Sequence, residues 1–387
     1  MKEPITHFGI RNTPALMEAF HNLGNDLLTQ LMEFYASPNE KKSLRTWKMK
    51  DIVKMTGRSE AFIRTLEKSD KIYEPIKING IRHYTLELIN KIRDKTGTRF
   101  KRPIGSEPII LAISNFKGGV AKSTTSMHLT HKGALEGKRM LAIDLDPQGT
   151  FTLGFGYIPD IDIKEEQTIK DAMIISPDLV HKAIRKTYFT GIDLIPGNLV
   201  LSELEILLTD VSEQKNKIKT IGYPNERLKN ILDIVKDNYD IIVLDCGPNL
   251  GMLTINALTA ANALLVPIPP MMSDLGSFVT CTGTLSELLK HINKDFDFFR
   301  ILISKHPESK ESKQLEILMR EKFGTYILQK CLVNSVEVEK AASIFSSVYE
   351  LPNKSTKSYK RAIESLDNVY LEIFDAFKQI WSAQHEE

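Results

Sequence analysis

The sequence predicts an α/β protein with a mostly parallel, doubly wound sheet, preceded by an α-helix and a winged helix-turn-helix domain. After residue 105, short apolar runs alternate with helical stretches, as in parallel sheets covered by helices on both faces. Residues 48–99 contain two helical stretches and a hairpin signal, and an amphipathic helix precedes them. We expect a helix in residues 1–40, a winged helix-turn-helix in residues 41–104 and an α/β domain in residues 105–387.

The composition excludes fibrous, wholly disordered and membrane-spanning proteins. Of the 387 residues, 42% are apolar and 26% are charged, as in ordinary globular domains. The longest apolar run, residues 257–272, is broken by three prolines and is shorter than the roughly 20 residues that cross a bilayer. No basic-then-apolar leader opens the chain, and Cys246, Cys281 and Cys331 lack metal-ligand spacing. We therefore expect a cytoplasmic protein whose cysteines are small apolar residues.

The net charge of +2 conceals a basic segment. Residues 41–102 contain 18 lysines and arginines but only 7 acidic residues, an excess of 11 positive charges. The remainder of the chain therefore carries a net charge of −9. A basic block of this kind indicates either a contact with nucleic acid or a solvated charged surface, and charge alone does not separate the two.

The N-terminal part contains an amphipathic helix. From about residue 13 to residue 35, apolar residues recur mostly at three- and four-residue steps, which is the spacing of one helix face. They are Leu16, Phe20, Leu23, Leu27, Leu28, Leu31 and Phe34. Gly24 weakens the prediction of one unbroken helix. The apolar face needs a partner surface, either in the same chain or in a second copy, which would make this part a dimerisation element.

The basic segment begins with a predicted helix-turn-helix. A short helix over residues 50–55 is followed by a turn at residues 56–58 and by a second helix, for which Ser59 is the N-cap. Next come two short β-like runs on either side of Asn79-Gly80, which is a strong hairpin signal, and a helix over residues 86–95.

This order of elements predicts a winged helix-turn-helix, whose second helix enters the major groove of DNA. The alternative is a small structural domain of helices. In the DNA-binding interpretation, the side chains that meet bases or phosphates lie on the second helix and on the wing. These are Arg58, Ser59, Arg64, Lys68 and Arg82.

The rest of the chain alternates between strands and helices. The predicted strands are Ile109–Ile113, 140–143, Ile192–Ile195, 241–244, 264–267, 299–303 and 327–333. The polar tract 215–226 is predicted to be a loop or the end of a helix. The C-terminal helix, about residues 359–381, has one apolar side; because the chain end after it is not basic, we expect packing on the core and not binding to a membrane surface.

Strand Ile109–Ile113 runs into a glycine-containing turn and then a helix, which is typical of a phosphate-binding loop. The residues are Lys117-Gly118-Gly119-Val120-Ala121-Lys122-Ser123-Thr124. Backbone N–H groups of such a turn surround an anion, Lys122 can reach the β- and γ-phosphates, and the Ser123 hydroxyl can bind Mg²⁺. Phe116 and Ala121 occupy the positions of the two glycines in the common G-x-x-x-x-G-K-[ST] motif, so the loop departs from that pattern.

Three aspartates support a nucleotide site. Asp144 and Asp146 follow one apolar run, and Asp245 ends another. Ligands of open α/β sheets bind at the carboxyl ends of the strands, and an aspartate at such an end can hold a water bound to magnesium. A single aspartate there is often only a cap for the next helix, but three beside a lysine-bearing loop favour the functional interpretation.

Three motifs in the sequence resemble the deviant Walker A, A′ and B motifs of the ParA/MinD superfamily. They are Lys117-Gly118-Gly119-Val120-Ala121-Lys122-Ser123, Asp144-Leu145-Asp146-Pro147-Gln148-Gly149 and Val243-Leu244-Asp245-Cys246-Gly247-Pro248. The resemblance covers the chain from about residue 108 onward. With the helix and the helix-turn-helix before it, the chain resembles the large plasmid-partition ParA proteins of the SopA type. This implies a deviant P-loop NTPase fold with ATP/ADP and Mg²⁺ as cofactors.

The resemblance also implies roles for individual residues. Lys117 would be the signature lysine that reaches the phosphates of the other subunit in a homodimer, and Lys122 the ordinary phosphate-loop lysine. Ser123 would bind Mg²⁺ directly, while Asp144 and Asp245 hold its waters. Asp146 would orient the attacking water.

Two further sites follow only from the resemblance. Pro270 and Met271 match the family segment near the adenine, although a strand end followed by a proline turn explains them equally well. Lys340 matches a lysine that binds nonspecific DNA in SopA-like proteins; here the residues at 344–346 replace a locally basic stretch, and an ordinary surface lysine is the alternative.

The function that the resemblance implies is ATP-dependent plasmid partition. Such an ATPase dimerises with ATP, binds nucleoid DNA without sequence preference, is stimulated by a ParB-type partner and represses its own operon through the helix-turn-helix. One alternative is a transcriptional repressor whose nucleotide site acts only as a switch. The other is a positioning ATPase like MinD at a membrane, which the basic N-terminal domain disfavours. We expect no membrane partner.

Overall fold

The N-terminal part consists of a long helix followed by a helix-turn-helix, a hairpin and a further helix. The computed structural model describes residues 13–35, 42–352 and 356–384. The elements before residue 105 are α1 (Thr13–Tyr35), α2 (Met49–Thr56), α3 (Glu60–Ser69), β1 (Ile76–Ile78), β2 (Ile81–His83) and α4 (Leu86–Thr96). The predicted order of elements is confirmed, and α1 continues through Gly24 without a break.

The turn between α2 and α3 has two local causes. Gly57 ends α2 with a φ of +64°, in the left-handed region that glycine adopts without a steric penalty. Ser59 caps α3, because its side chain accepts a 3.3 Å hydrogen bond from the backbone N–H of Phe62. Trp47 and Tyr84 exchange two backbone hydrogen bonds of 2.9 Å, which hold the hairpin to the segment before α2.

The α/β part contains one sheet of seven strands within the described residues. The strands are β3 (Ile109–Ile113), β4 (Met140–Leu145), β5 (Arg185–Lys186), β6 (Ile192–Ile195), β7 (Ile241–Cys246), β8 (Ala263–Ile268) and β9 (Phe298–Ile303). Their order across the sheet is β5-β6-β4-β7-β3-β8-β9. All neighbours are parallel except β5 and β6, so the predicted mostly parallel, doubly wound sheet is confirmed.

Helices cover both faces of the sheet. They are α5 (Lys122–Leu135), α6 (Thr150–Gly154), α7 (Pro159–Asp162), α8 (Lys170–Ile174), α9 (Val180–Ala183), α10 (Val200–Thr209), α11 (Val211–Ile221), α12 (Arg227–Val235), α13 (Met252–Ala260), α14 (Met272–His291), α15 (Lys310–Phe323), α16 (Val336–Ala342) and α17 (Lys357–Ala383). In β3, Ile109 and Leu111 enter one hydrophobic layer, while Ile110 and Ala112 enter the other. Burial on both faces explains why the strands are continuous apolar runs.

The C-terminal helix packs on the core, as predicted. Its side chains Ile373, Phe377 and Trp381 are buried in the same layer as Ile109, and the Trp381 indole donates a 2.9 Å hydrogen bond to the carbonyl of Glu107. Among the helices of the described residues, none has both the length and the apolar composition needed to cross a membrane.

The helix-turn-helix part contacts the end of α5. The Arg93 guanidinium, at the end of α4, donates a 2.9 Å hydrogen bond to the carbonyl of Leu135. Arg99 donates a 3.1 Å hydrogen bond to the carbonyl of Gly137. Because α5 begins at the predicted phosphate loop, this one helix connects the loop to the helix-turn-helix part.

One strand prediction is wrong. Residues 327–333 do not form a regular strand but touch the edge of the sheet at two isolated bridges, Ile301 with Ile327 and His306 with Val333. Between the two bridges, the chain advances by five residues from Ile301 to His306 but by six from Ile327 to Val333. The extra residue interrupts the ladder, as a β-bulge does. The other six runs lie in observed strands. The short antiparallel β5 was not predicted, and the first half of tract 215–226 is the end of α11.

Candidate nucleotide-binding site

The predicted phosphate loop joins β3 to α5 in the middle of the sheet. The Lys122 amine donates a 2.9 Å hydrogen bond to the carbonyl of Lys117, which closes the loop on itself. The Ser304 hydroxyl, just after β9, donates a 2.9 Å hydrogen bond to the carbonyl of Val120. Gly118 and Gly119 are exposed, Val120 is buried, and Ser123 and Thr124 lie half-buried in the first turn of α5. The loop is therefore held by a hydrogen bond within it and by one from the end of β9, two strands away in the sheet.

Ala121 adopts a backbone conformation that usually requires glycine. Its φ is +73°, and it immediately precedes α5. An L-residue in this region costs roughly 1–2 kcal/mol through contact of its Cβ with the backbone. The common motif has glycine at this position, so the loop keeps the shape of that motif although its residue differs.

We expect the change Ala121→Gly to raise the free energy of unfolding by about 0.5–1 kcal/mol. Relief of the left-handed strain exceeds the entropy that glycine gains in the unfolded chain. Denaturant unfolding monitored by circular dichroism measures the change. The matched control is Ala61→Gly in α3, where the backbone is helical and the same substitution is expected to cost about 0.5–1 kcal/mol. Equal destabilisation by both substitutions would contradict the strain at Ala121.

Lys122 places a buried positive charge in the loop. Only 7% of the residue is exposed. Burial lowers the pKa of its ammonium, while the negative charges of Asp245 and Asp146 oppose that shift. A buried cation in a glycine-containing loop suits the phosphates of a nucleotide.

Asp144 and Asp245 lie side by side at the ends of adjacent strands. They are register partners in β4 and β7, and both are fully buried. Burial raises the pKa of both carboxyl groups, and the charge of Asp245 adds to the effect on Asp144. Sequence reasoning placed both aspartates at strand ends, and the parallel register brings them together.

The Asp245 carboxylate fits a role beside a magnesium ion. Its Oδ1 accepts a 2.6 Å hydrogen bond from the Ser126 hydroxyl. Its Oδ2 is buried without a hydrogen bond of good geometry in the described part of the chain, which is costly unless a cation or its water satisfies the oxygen. Among the described residues, no group of three or more His, Cys, Asp or Glu side chains could hold a metal by itself. The ion would therefore depend on Ser123 and on the phosphates of the nucleotide.

Asp144 has a different set of contacts. Its Oδ2 accepts hydrogen bonds from the backbone N–H and the hydroxyl of Thr152, at 2.8 and 2.7 Å. Its Oδ1 accepts a 3.1 Å hydrogen bond from the N–H of Asp146. Asp146 in turn accepts a 3.0 Å hydrogen bond from the N–H of Gln148 and is 9% exposed. Asp144 thus fixes the segment that carries Asp146, and its role toward a metal-bound water stays a prediction.

The side chain of Lys117 contacts two residues of its own chain. Its amine lies 3.0 Å from Oδ1 of Asp274 and 3.2 Å from the hydroxyl of Ser273. Both partners lie in the first turn of α14. About one third of the lysine side chain is exposed. Sequence reasoning did not find these partners, because they are 156 and 157 residues away along the chain.

A cavity of about 410 Å³ adjoins the phosphate loop. It is lined by Ala121 and Thr124 of the loop, by Met271, and by Lys305 and Asn334. Of the two residues predicted near the base, Met271 reaches this cavity, whereas Pro270 is buried and does not line it. Lys305 follows the end of β9, so the rule that ligands bind at the carboxyl ends of parallel strands could have indicated it.

The predicted DNA-binding side chains fall into separate groups. Arg64, Lys68 and Arg82 line one cleft between α3 and the hairpin. Arg58 lies outside that cleft and donates a 2.7 Å hydrogen bond to the carbonyl of Thr96, and Ser59 is exposed as the cap of α3. Lys340 is in α16, with its side chain 60% exposed and 3.4 Å from Glu337.

The fold and the site define a class of protein. A lysine-bearing loop follows a central parallel strand, and buried aspartates end the next two strands in the sheet. That combination is characteristic of P-loop nucleotide-binding proteins. A second lysine at the start of the loop, Lys117, distinguishes the deviant form of the motif.

Comparison with known proteins identifies the family. Residues 109–298 match a family model described as an AAA domain. The chain is 33% identical to the protein SopA of Escherichia coli strain K12 over 352 residues, which cover 88% of this chain and 90% of SopA. The chain therefore belongs to the ParA-type partition ATPase family, as the motifs predicted.

Solved structures agree with this fold. A structure described as a partition protein matches 95% of this chain and 99% of its own, with a TM-score of 0.68 and 20% identity. The cobyrinic acid a,c-diamide synthase of Mycobacterium smegmatis, solved with an ATP analogue and magnesium, matches 63% of this chain and 91% of its own, with a TM-score of 0.51 and 25% identity. The first match extends over the N-terminal part as well as the α/β part.

Proposed function

We propose that this protein is a Mg²⁺- and ATP-dependent partition ATPase that dimerises with ATP and binds nonspecific DNA. In this proposal a ParB-type partner stimulates hydrolysis, and the helix-turn-helix represses the operon of the protein. The observation that carries the proposal is the loop of residues 117–124. Its buried Lys122 interacts electrostatically with the buried carboxylate of Asp245, whose Oδ2 has no hydrogen bond of good geometry among the described residues. ATP and Mg²⁺ are the cofactors that satisfy both groups, and the similar synthase binds an ATP analogue with magnesium.

The residues of the loop would bind and orient the triphosphate. Gly118, Gly119, Val120 and Ala121 supply the backbone of the loop, and Lys122 neutralises the charge on the β- and γ-phosphates. Ser123 and Thr124 begin the helix whose N-terminus faces the anion. Met271 lies beside the cavity that suits the base.

Hydrolysis requires positioning and charge neutralisation more than covalent chemistry. Magnesium held by Ser123, with waters held by Asp245 and Asp144, would offset the phosphate charge. Asp146 would orient the attacking water, because its backbone is fixed by Asp144 and its carboxylate lies at the edge of the site.

Lys117 would act on the nucleotide only after its ion pair with Asp274 breaks. Its amine is paired with Asp274 in the single chain, so it must leave that carboxylate before it can neutralise a phosphate. A second subunit that supplies Lys117 across the interface would link hydrolysis to dimerisation. We therefore propose that the isolated subunit hydrolyses ATP slowly.

The helix α1 supports self-association. Several of its apolar side chains are between about one third and two thirds exposed: Met17, Phe20, Leu23, Leu27, Leu31 and Phe34. Leu28 packs on Ile158 of the α/β part. A second copy of the chain would bury the remaining apolar face of α1, which would make residues 1–40 a dimerisation element.

Two basic regions support DNA binding. The domain of residues 41–104 presents Arg64, Lys68 and Arg82 in one cleft, with Arg58 and Ser59 at the start of α3, and these would bind the operator. Lys340 is exposed on α16 and would contribute to nonspecific binding of nucleoid DNA. In this proposal the protein is cytoplasmic and nucleoid-associated, without a membrane partner.

The main alternative is a repressor whose nucleotide site acts only as a switch. The basic helix-turn-helix is compatible with both functions, so hydrolysis must separate them. A MinD-like positioning ATPase is the third candidate, and sedimentation with liposomes would detect it.

The test is the rate of ATP hydrolysis by the full-length protein, with and without duplex DNA and the partner protein. We expect slow hydrolysis alone and stimulation of at least about 10-fold when both are added. Removal of Mg²⁺ with a chelator should abolish the activity. A rate that is indifferent to DNA and partner would favour the repressor.

A further inference from the structure

The cleft between α3 and the hairpin, here called the basic cleft, contains two carboxylates, the exposed one of Glu74 and the buried one of Glu67. The cleft has a volume of about 370 Å³ and is lined by Arg64, Lys68, Lys77, Arg82, Glu67, Glu74 and Pro75. Four of these side chains are cationic, so the cleft attracts an anion. Glu67 would weaken that attraction unless it has another role.

Glu67 is held at both of its oxygens by the hairpin. Its carboxylate is only 7% exposed. Oε2 accepts a 3.1 Å hydrogen bond from Nε of Arg82, and Oε1 accepts a hydrogen bond from the hydroxyl of Tyr84. Tyr84 directly follows β2, is fully buried and is fixed to Trp47 by two backbone hydrogen bonds. The carboxylate therefore has one orientation and joins α3 to the hairpin.

The contact from Glu67 leaves the end of Arg82 available. Glu67 engages Nε, while Nη1 and Nη2 of Arg82 make no hydrogen bond within the residues that the structure describes. The Arg82 side chain is 37% exposed and lines the basic cleft. Two terminal nitrogens of a fixed guanidinium are the donors that bind a phosphate with two parallel hydrogen bonds.

We propose that Glu67 is a positioning residue, which holds Arg82 so that its terminal nitrogens bind a backbone phosphate of the operator in the basic cleft. The inference rests on the proposed operator binding by this domain. It makes α3 and the hairpin one rigid binding surface, because the same carboxylate also holds Tyr84. Contacts of this kind fix the position of a protein on DNA, while base contacts set the sequence preference.

The direction of the effect of Glu67→Ala distinguishes positioning from simple electrostatics. Removing a negative charge from a DNA-binding surface strengthens binding if charge alone matters. If Glu67 positions Arg82, the same change weakens binding, because the guanidinium loses its fixed orientation. The two explanations therefore predict opposite signs.

The experiment titrates full-length protein, in the presence of ADP, into a labelled duplex from the region upstream of its gene and into a random-sequence duplex. Arg82→Ala should weaken binding about 10-fold and lower the slope of log K against log salt by about 1. Glu67→Ala should weaken binding by about 5- to 10-fold, and the double variant should bind no more weakly than Arg82→Ala alone. Glu67→Gln, which retains an acceptor oxygen, should recover most of the affinity.

Tighter binding by Glu67→Ala, or additive losses in the double variant, would overturn the inference while leaving operator binding intact. If the wild-type protein binds neither duplex, or if Arg64→Ala and Lys68→Ala have no effect, the proposed operator binding fails and the inference fails with it. Thermal unfolding verifies that the variants fold. If Glu67→Ala does not fold, Tyr84→Phe replaces it in the experiment. This variant keeps the buried ring but removes one hydrogen bond to the Glu67 carboxylate, and it should also weaken binding.

Discussion

Replacement of Lys117 by glutamine is expected to lower the stimulated rate of ATP hydrolysis by about 100- to 1,000-fold. Glutamine retains much of the length and polarity of lysine but cannot neutralise the negative charge that develops on the transferred phosphoryl group. ATP affinity should fall less, by no more than about 10-fold, because Lys122 remains in the loop and would still neutralise the phosphates in the proposed site. Single-turnover hydrolysis and equilibrium binding of a fluorescent ATP analogue measure the two effects separately.

Two further variants serve as controls for Lys117→Gln. Lys122→Ala should lose nucleotide binding as well as hydrolysis, because it removes the cation inside the loop. Lys290→Gln changes an exposed lysine, 70% accessible at the end of α14, and should behave as wild type. If Lys117→Gln retains a stimulated rate within about 3-fold of wild type, Lys117 is not catalytic, and its ion pair with Asp274 has only a structural role.

A mixing experiment separates a role within one subunit from a role across the interface. Lys117→Gln retains a normal Lys122, whereas Lys122→Ala retains a normal Lys117. In a mixed dimer, the intact loop of one subunit can receive Lys117 from the other, so mixing should restore part of the activity. No recovery in dimers shown to be mixed would place Lys117 in its own subunit.

Much of the α/β fold could be predicted because local pattern and global structure agree. Strands buried on both faces must be continuous apolar runs, and parallel strands must end at the same edge. The sequence alone therefore places Lys122, Asp144 and Asp245 close together. The helix-turn-helix could be predicted for a similar reason, since Gly57 and Ser59 determine a helix end and a helix start by local chemistry.

The parts that could not be predicted depend on contacts between distant residues. The pairing of Lys117 with Asp274 has no local signature, because either side chain in isolation resembles a surface charge. The irregular segment 327–333 has the composition of a strand, but one extra residue relative to β9 interrupts its ladder. Glu67 could not be identified either, because an acidic residue on a helix that carries two acidic and two basic residues gives no sign of the arginine and tyrosine that hold it.

The buried ion pair between Lys42 and Glu350 also has no local signature in the sequence. The Lys42 amine lies 3.2 Å from Oε1 of Glu350 and donates hydrogen bonds to the carbonyl of Gly154, at 2.6 Å, and to the hydroxyl of Tyr188, at 3.0 Å. The two charged side chains are only 4% and 7% exposed. These contacts join the segment before the helix-turn-helix to α6 and to the loop after α16.

We expect Glu350→Ala to lower the free energy of unfolding by about 3–5 kcal/mol. The substitution leaves the Lys42 ammonium buried without its counter-ion, which costs far more than the loss of an exposed pair. Denaturant unfolding measures the change. The control Glu321→Ala removes an exposed carboxylate in α15 and should change stability by no more than about 0.5 kcal/mol.

Removing both charges should be less harmful than removing one. The double variant Lys42→Met with Glu350→Gln retains approximate volume and leaves no unpaired charge, so it should recover most of the stability lost in Glu350→Ala. A double variant as unstable as Glu350→Ala would show that packing, and not charge, is responsible.

The pH dependence of unfolding tests the same pair without changing its shape. Burial alone would raise the pKa of Glu350, but the charge of Lys42, the neighbouring His131 and the hydrogen bond from Tyr188 outweigh burial and lower it to about 2. A carboxylate whose pKa is lowered in the folded protein contributes stability that is present above about pH 4.5 and is lost as the pH falls toward 2. The wild type should therefore lose stability over this range more steeply than Glu350→Gln, which cannot titrate there. Equal slopes for the two proteins would mean that Glu350 does not carry a stabilising charge in the folded chain.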